Sequence, residues 1–215
     1  MIELELADWR RAVAELYSSV RNERDPAAAH QLWRAGRDRL FRTHPQSPLP
    51  ADDSLRATGL PYWPYDSALR FELPLEAAEP DELSVSTDGD GLTRMRRIGC
   101  VRLPAPFDTT VDLWWLRQYG GGLFLPVRDG TAGTTSYGGG RYLLDTAKGA
   151  DLGGHDDLLV LDLNFLYHPS CRYDPAWQCP LAPRGNTMTA EIRAGERYEA
   201  PGEGSLPRSE AEQPV

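Results

Sequence analysis

LRFELPL, Leu69 to Leu75, alternates apolar with other residues at every position. Successive side chains of a β-strand point to opposite faces, so Leu69, Phe71, Leu73 and Leu75 share one face, and that face needs a cover. Upstream, Pro48, Pro50, Gly59, Pro61 and Pro64 are too closely spaced for a long uninterrupted helix. Downstream, further strands fit Leu83 to Thr87, Ile98 to Leu103, Val111 to Arg117, Gly122 to Val127, Arg141 to Asp145, Leu158 to Asn164 and Thr189 to Ala194. Asp88-Gly89-Asp90-Gly91 and Gly120-Gly121-Gly122 supply tight turns between some of them. Of the adjacent pair Trp114 and Trp115, only one can face a given side, so one is expected inside and the other partly exposed. Short strands with tight connections predict a mainly β (α+β) fold, an antiparallel β-sandwich or partly closed barrel.

Two helices precede the strands. Leu6, Trp9, Val13, Leu16 and Val20 recur at helical spacing, which predicts a helix over about residues 6 to 22. Asp25 then offers an N-cap and Pro26 a first-turn proline for a second helix ending near His44, with Leu32, Trp33, Gly36 and Leu40 on its buried side. The expected plan is a helical segment over 1–44 packed on the core, a β-rich domain over 45–200 and a flexible tail over 201–215, where Gly, Pro and Glu outnumber apolar residues.

A formal net charge of -9, from 23 Lys and Arg against 32 Asp and Glu, opposes nonspecific binding to phosphate backbones, so nucleic acid is not an expected partner. Arg94, Arg96 and Arg97 read as a solvated strand face. Apolar runs fall short of the ~20 residues that span a bilayer, and the acidic N-terminus does not read as a secretory signal; the expectation is a cytoplasmic protein without membrane contact. Cys100, Cys171 and Cys179 cannot all pair within one chain, and free thiols are their default state.

Residues capable of chemistry gather late in the chain. In YGGGRY, glycine amides could cradle an anion and Arg141 could clamp a carboxylate or phosphate through two parallel hydrogen bonds; the competing reading is a glycine turn into a strand with Arg141 in an internal salt bridge. No Gly-Lys-Ser/Thr follows, which excludes a P-loop. Asp162 and Asn164 fall two apart in LDLN, on one strand face, with Arg141 and Tyr137 as natural partners. His168, Cys171 and Cys179 offer nitrogen and sulfur to a metal or a thiol mechanism, but their spacing lacks the paired ligands of common zinc modules. His44 and Ser47 in HPQSPL sit without a nucleophile elbow and read as a proline-fixed turn. PYWPYD, Pro61 to Asp66, reads first as core packing and second as a flat surface for a ring-shaped ligand.

HPQSPL (44–49), GLPYWPYD (59–66), LFLPVRDGTAGTTSYGGGRYL (123–143), LDLN (161–164), CRYDPAWQCPLAP (171–183) and AGER (194–197) together resemble a bacterial family, domain of unknown function 1684. The resemblance spans about residues 30 to 198. It implies a β-rich domain after N-terminal helices and brings no established reaction. Two positions depart from the family pattern: His168-Pro169 stands where Asn-Pro is usual, which weakens a shared metal site, and Gly185-Asn186 stands where Glu-Asn is usual. The resulting expectation is a pocket for a small anionic or polar metabolite. Tyr137, Gly138, Gly139, Gly140, Arg141, Tyr142, Asn164 and Asn186 would bind it, with Asp162 as a general base and no cofactor or metal specified. The alternatives are a noncatalytic binding or scaffold module and a metal- or thiol-dependent enzyme.

Overall fold

Asp25 divides the N-terminal region as its cap chemistry requires. The computed structural model describes residues 1–87, 91–117 and 119–198, and in it α1 spans Ile2–Asn22 and α2 spans Pro26–Thr43. The Asp25 carboxylate accepts from Ala27 N, an arrangement worth about 1 kcal/mol, and Pro26 occupies the first turn. Trp33 Nε1 donates to Tyr17 Oη at 3.1 Å within the core, tying the two helices together. Leu32, expected inside, is exposed. The buried side of α2 runs through Ala29, His30, Trp33 and Phe41, and Leu32 lies about 100° round the helix from Trp33. Gly36 permits the close helix contact, since a Cβ there would fall 2.4 Å from Leu16 Cδ1. A short α3 (Leu55–Thr58) follows the HPQSPL turn, in which Ser47 Oγ donates to Phe41 O at 2.6 Å and accepts from Leu49 N.

The strands are β1 (Arg70–Pro74), β2 (Glu82–Thr87), β3 (Gly91–Leu103), β4 (Thr109–Leu116), β5 (Gly122–Val127), β6 (Arg141–Asp145), β7 (Gly154–His155) and β8 (Leu158–Asp162). They make two antiparallel sheets, a five-stranded meander ordered β2-β3-β4-β5-β6 and a three-stranded sheet ordered β1-β8-β7. Isolated bridges join segments just beyond β1 and β8 to the larger sheet, Glu76 to Cys100 and Tyr142 to Tyr167, and among the described residues the two sheets do not close into a full barrel. Trp114 is 1% exposed and Trp115 37%, the in-and-out pair that strand geometry dictates. One core cluster joins Tyr17, Val20, Trp33 and Phe41 of the helices to Val101, Leu113, Leu143 and Leu161 of the sheets.

Four expectations need correction or limits. Thr189 to Ala194 is not a strand: its backbone is irregular because buried side chains, rather than a neighbouring strand, take up its polar groups. The run Leu158 to Asn164 is a strand only to Asp162, after which Asp162 Oδ1 accepts from Asn164 N and starts a 3-10 turn over Leu163–Phe165. The turn at Asp88 to Asp90 and the tail beyond Tyr198 lie outside the described residues.

His30, 1% exposed, is ringed by Trp33, Tyr65 and Phe165 at centroid distances of 5.6, 5.3 and 5.4 Å. Burial, aided by Arg34, lowers its pKa to about 4. The unfolded chain therefore binds a proton near pH 6.5 that the folded one refuses: stability is complete above 6.5 and falls as pH drops from there toward 4, by about 1.4 kcal/mol per pH unit. His168, also driven down by burial, adds in the same direction. Denaturation at pH 7.0 and 5.0 is expected to show a smaller acid loss for His30→Phe than for wild type, and equal losses would refute the buried neutral imidazole.

Candidate functional site

Gly140 closes the YGGG turn at φ 90° with its amide donating to Tyr137 O, and a Cβ at this position would meet Val127 O at 2.6 Å. The turn delivers Arg141 into the interior, where it is fully buried. Its Nη2 donates to Asp129 Oδ1 at 3.0 Å and Ile192 O at 2.8 Å; its Nη1 donates to Ala194 O and to Glu196 O at 3.0 Å. Asp129 Oδ2 in turn accepts from Ile192 N at 2.7 Å and Thr131 Oγ1 at 2.8 Å. The guanidinium thus latches the irregular 192–196 segment to β6, and its terminal nitrogens are spent on protein acceptors.

A second buried network lies beside it. Glu196, 0% exposed, receives Arg37 on both oxygens and accepts from His168 N at 2.6 Å and Tyr173 Oη at 3.1 Å. The His168 ring is engaged on both nitrogens, its Nε2 accepting from Tyr137 N at 3.1 Å and its Nδ1 lying 3.6 Å from Glu196 Oε2. Among the described residues, no three His, Cys, Asp or Glu side chains gather as metal ligands do. The Cys171 thiol donates toward Tyr137 Oη at 3.9 Å, while Tyr142, 2% exposed, donates from its hydroxyl to Pro180 O at 2.6 Å. Asn186 stands apart from all of these, accepting from Trp114 Nε1 at 2.9 Å and donating to Asp112 O at 2.8 Å, so it pins the 183–187 loop to β4.

Asp162 and Asn164 do not meet Arg141 or Tyr137. Asn164 donates to Asp66 O at 2.8 Å and accepts from Asp66 N at 2.9 Å, holding the PYWPYD segment against the end of β8. Asp162, 2% exposed, accepts two bonds from Asn164 on Oδ1, but Oδ2 has only the Tyr65 hydroxyl at 3.4 Å. Burial raises the Asp162 pKa, against the pull of the Asn164 bonds and Arg70. Asp162 lines a cavity of about 270 Å³ between the α1–α2 turn and the three-stranded sheet. Around it stand Arg21 from the last turn of α1, Arg24 from the α1–α2 turn, Arg70 opposite Asp162 in the β1–β8 register, and His155, which bonds Glu72 at 2.9 Å. Arg24 has no hydrogen-bond or ion-pair partner among the described residues.

Of the expected site residues, therefore, Asp162 alone reaches this cavity; Cys179, Tyr142 and His168 border a smaller one of about 60 Å³. Sequence reasoning passed over Arg21, Arg24 and Arg70, scattered cations that only the fold assembles. It also passed over Arg37, for which a signal existed: Trp33, Arg37 and Phe41 are four apart, so a charge stands on the buried helix face and demands a buried partner.

The family model described as "Protein of unknown function (DUF1684)" matches residues 56–197, beginning after the helix pair. Among solved structures, the chain is similar to the solution NMR structure of the uncharacterized protein from gene locus rrnAC0354 of Haloarcula marismortui. Identity is 33%, the alignment covers 78% of this chain and 91% of that one, and the TM-score is 0.55. No curated protein matches the chain significantly. No helix among the described residues is long and apolar enough to cross a membrane.

Proposed function

The chain belongs to the DUF1684 family of proteins of unknown function, so its activity has to be read from its own cavities, and we propose that the cavity floored by Asp162 binds a small anionic metabolite. The observation that carries this reading is a buried carboxylate, one of whose oxygens has a single long hydrogen bond, lining a space that three arginines also line. A carboxylate or phosphate on the ligand would engage Arg24 and Arg70, and a ligand hydroxyl or amine would donate to Asp162 Oδ2. Desolvation makes that oxygen a stronger proton acceptor than an exposed aspartate, which fits it to general-base chemistry should the ligand be transformed.

Arg24→Ala is the cleanest test, because Arg24 supports nothing internal. Its melting curve is expected to match wild type, while the affinity for a carboxylate or phosphate found by ligand-induced stabilisation falls about tenfold or more, roughly 1.4 kcal/mol. Unchanged affinity in Arg24→Ala, Arg70→Ala and Asp162→Asn proteins that remain folded would sink the proposal. A second reading, a noncatalytic scaffold module, is favoured by the complete burial of Arg141, Asn164 and Asn186, with the terminal nitrogens of Arg141 and the amide nitrogens of both asparagines bonded to protein acceptors.

A further inference from the structure

Asp145 ends β6 as a carboxylate only 3% exposed, and the fold leaves it incompletely paired. Its backbone is fixed, exchanging 3.0 Å hydrogen bonds with Ala150 in both directions. Its side chain is held from one side: Lys148, three residues on, brings its ammonium to 3.8 Å from Oδ2, and no protein donor among the described residues meets Oδ1. A buried carboxylate oxygen without a donor is costly, and a ligand that supplies one recovers that cost on binding.

Asp145 lines two cavities. In the smaller, of about 60 Å³, Arg37 already covers two of the aromatic rings, Phe41 at 4.5 Å and Tyr167 at 4.6 Å, so it offers neither the volume nor the open ring faces that an organic cation needs. The larger, of about 410 Å³, has apolar walls from Leu116, Phe124 and Pro180 and two cations, Arg10 and Lys148. Arg10 is exposed on α1 and has no hydrogen-bond or ion-pair partner among the described residues. Two cations beside one carboxylate, over apolar walls, match a molecule that carries an ammonium and a carboxylate on one carbon together with an apolar group. We propose that this cavity binds a free α-amino acid with an apolar side chain. Its ammonium donates to Asp145 Oδ1, its carboxylate engages Arg10 and Lys148, and its side chain lies against Leu116 and Phe124. Burial pushes the Asp145 pKa up against Lys148 and Arg10, and a bound ammonium would act with those cations to hold the carboxylate ionised. The site shares no lining residue with the Asp162 cavity.

The test titrates the full chain with L-phenylalanine and L-leucine by isothermal calorimetry, and then with the amide and the 2-hydroxy acid of each. Saturable binding at millimolar concentration or below is expected for at least one amino acid. Its amide, which lacks the carboxylate, and its hydroxy acid, which has a hydroxyl in place of the ammonium, are each expected to bind at least about tenfold more weakly. Asp145→Asn, which keeps the shape and removes the charge, and Arg10→Ala, which breaks no internal contact, should each weaken binding at least about tenfold, while Arg24→Ala leaves it unchanged. The proposal fails if neither amino acid binds saturably, if the hydroxy acid binds equally well, or if Arg10→Ala retains full affinity. A loss in Arg24→Ala would place the ligand in the Asp162 cavity and overturn the assignment as well. Should Asp145→Asn not fold, the hydroxy-acid and Arg10→Ala measurements decide.

Discussion

Arg141→Ala is expected to lower the unfolding free energy by about 3–5 kcal/mol, since removing one partner of a buried ion pair leaves the other charged and unsolvated. Asp129 would lose its counter-ion while still fully enclosed, and the carbonyls of Ile192, Ala194 and Glu196 would lose their donors together. Water cannot substitute without opening the segment, because the guanidinium site has no exposure at all. For a chain of this size the loss corresponds to a melting temperature lower by roughly 6–20 °C. Arg141→Lys should recover only part of it, as one ammonium cannot reproduce the planar fork that reaches a carboxylate and three carbonyls at once. Denaturant titration of the three proteins checks this, and an alanine variant within about 1 kcal/mol of wild type would show that the latch contributes no stability.

The same residue shows where sequence ceases to be legible. YGGGRY was readable as a turn feeding Arg141 into a strand, because positive φ, a tight turn and β periodicity are local properties. What Arg141 faces is not local: Asp129 lies twelve positions back and Ile192 fifty-one ahead, and nothing in the spacing marks either as its partner. The strand expected over Thr189 to Ala194 failed for that reason, since its carbonyls and amides answer to Arg141 and Asp129 rather than to a neighbouring strand. The helix pair, β5 and β6 were legible to within a few residues because cap chemistry and alternation decide them. The Asp162 cavity was legible in one residue only. Arg24 belongs to the turn between the helices and Arg70 to a strand, and antiparallel pairing of β1 with β8 is what sets Arg70 opposite Asp162.

Burial also divides the motif residues by role. Asn164 ties the turn after β8 to Asp66, and Asn186 ties its loop to β4, each through paired donor and acceptor bonds that commit the amide to the fold. Asp162 and Arg24 retain capacity. Motif density along the chain therefore reports two things at once, the stapling of irregular segments and the few groups left free to react.

Glu196→Ala is expected to be comparably destabilising, at about 3–5 kcal/mol, and it separates the second network from the first. Arg37, reaching from α2, would be left without its carboxylate, and the His168 amide and Tyr173 hydroxyl without an acceptor. The backbone of Glu196 would still accept from Arg141, so the latch survives and the measured loss belongs to the side chain. Because Arg37 is the only described link from the helix pair to this carboxylate, Arg37→Met is expected to relieve most of the penalty in the double variant: once both charges are gone, neither is buried alone. A double-mutant cycle by denaturant unfolding is then expected to give a coupling of about 2–3 kcal/mol between the two positions. Additive losses would mean that Arg37 and Glu196 act separately, and that the apolar packing of Trp33 and Phe41 alone fixes α2 on the sheets.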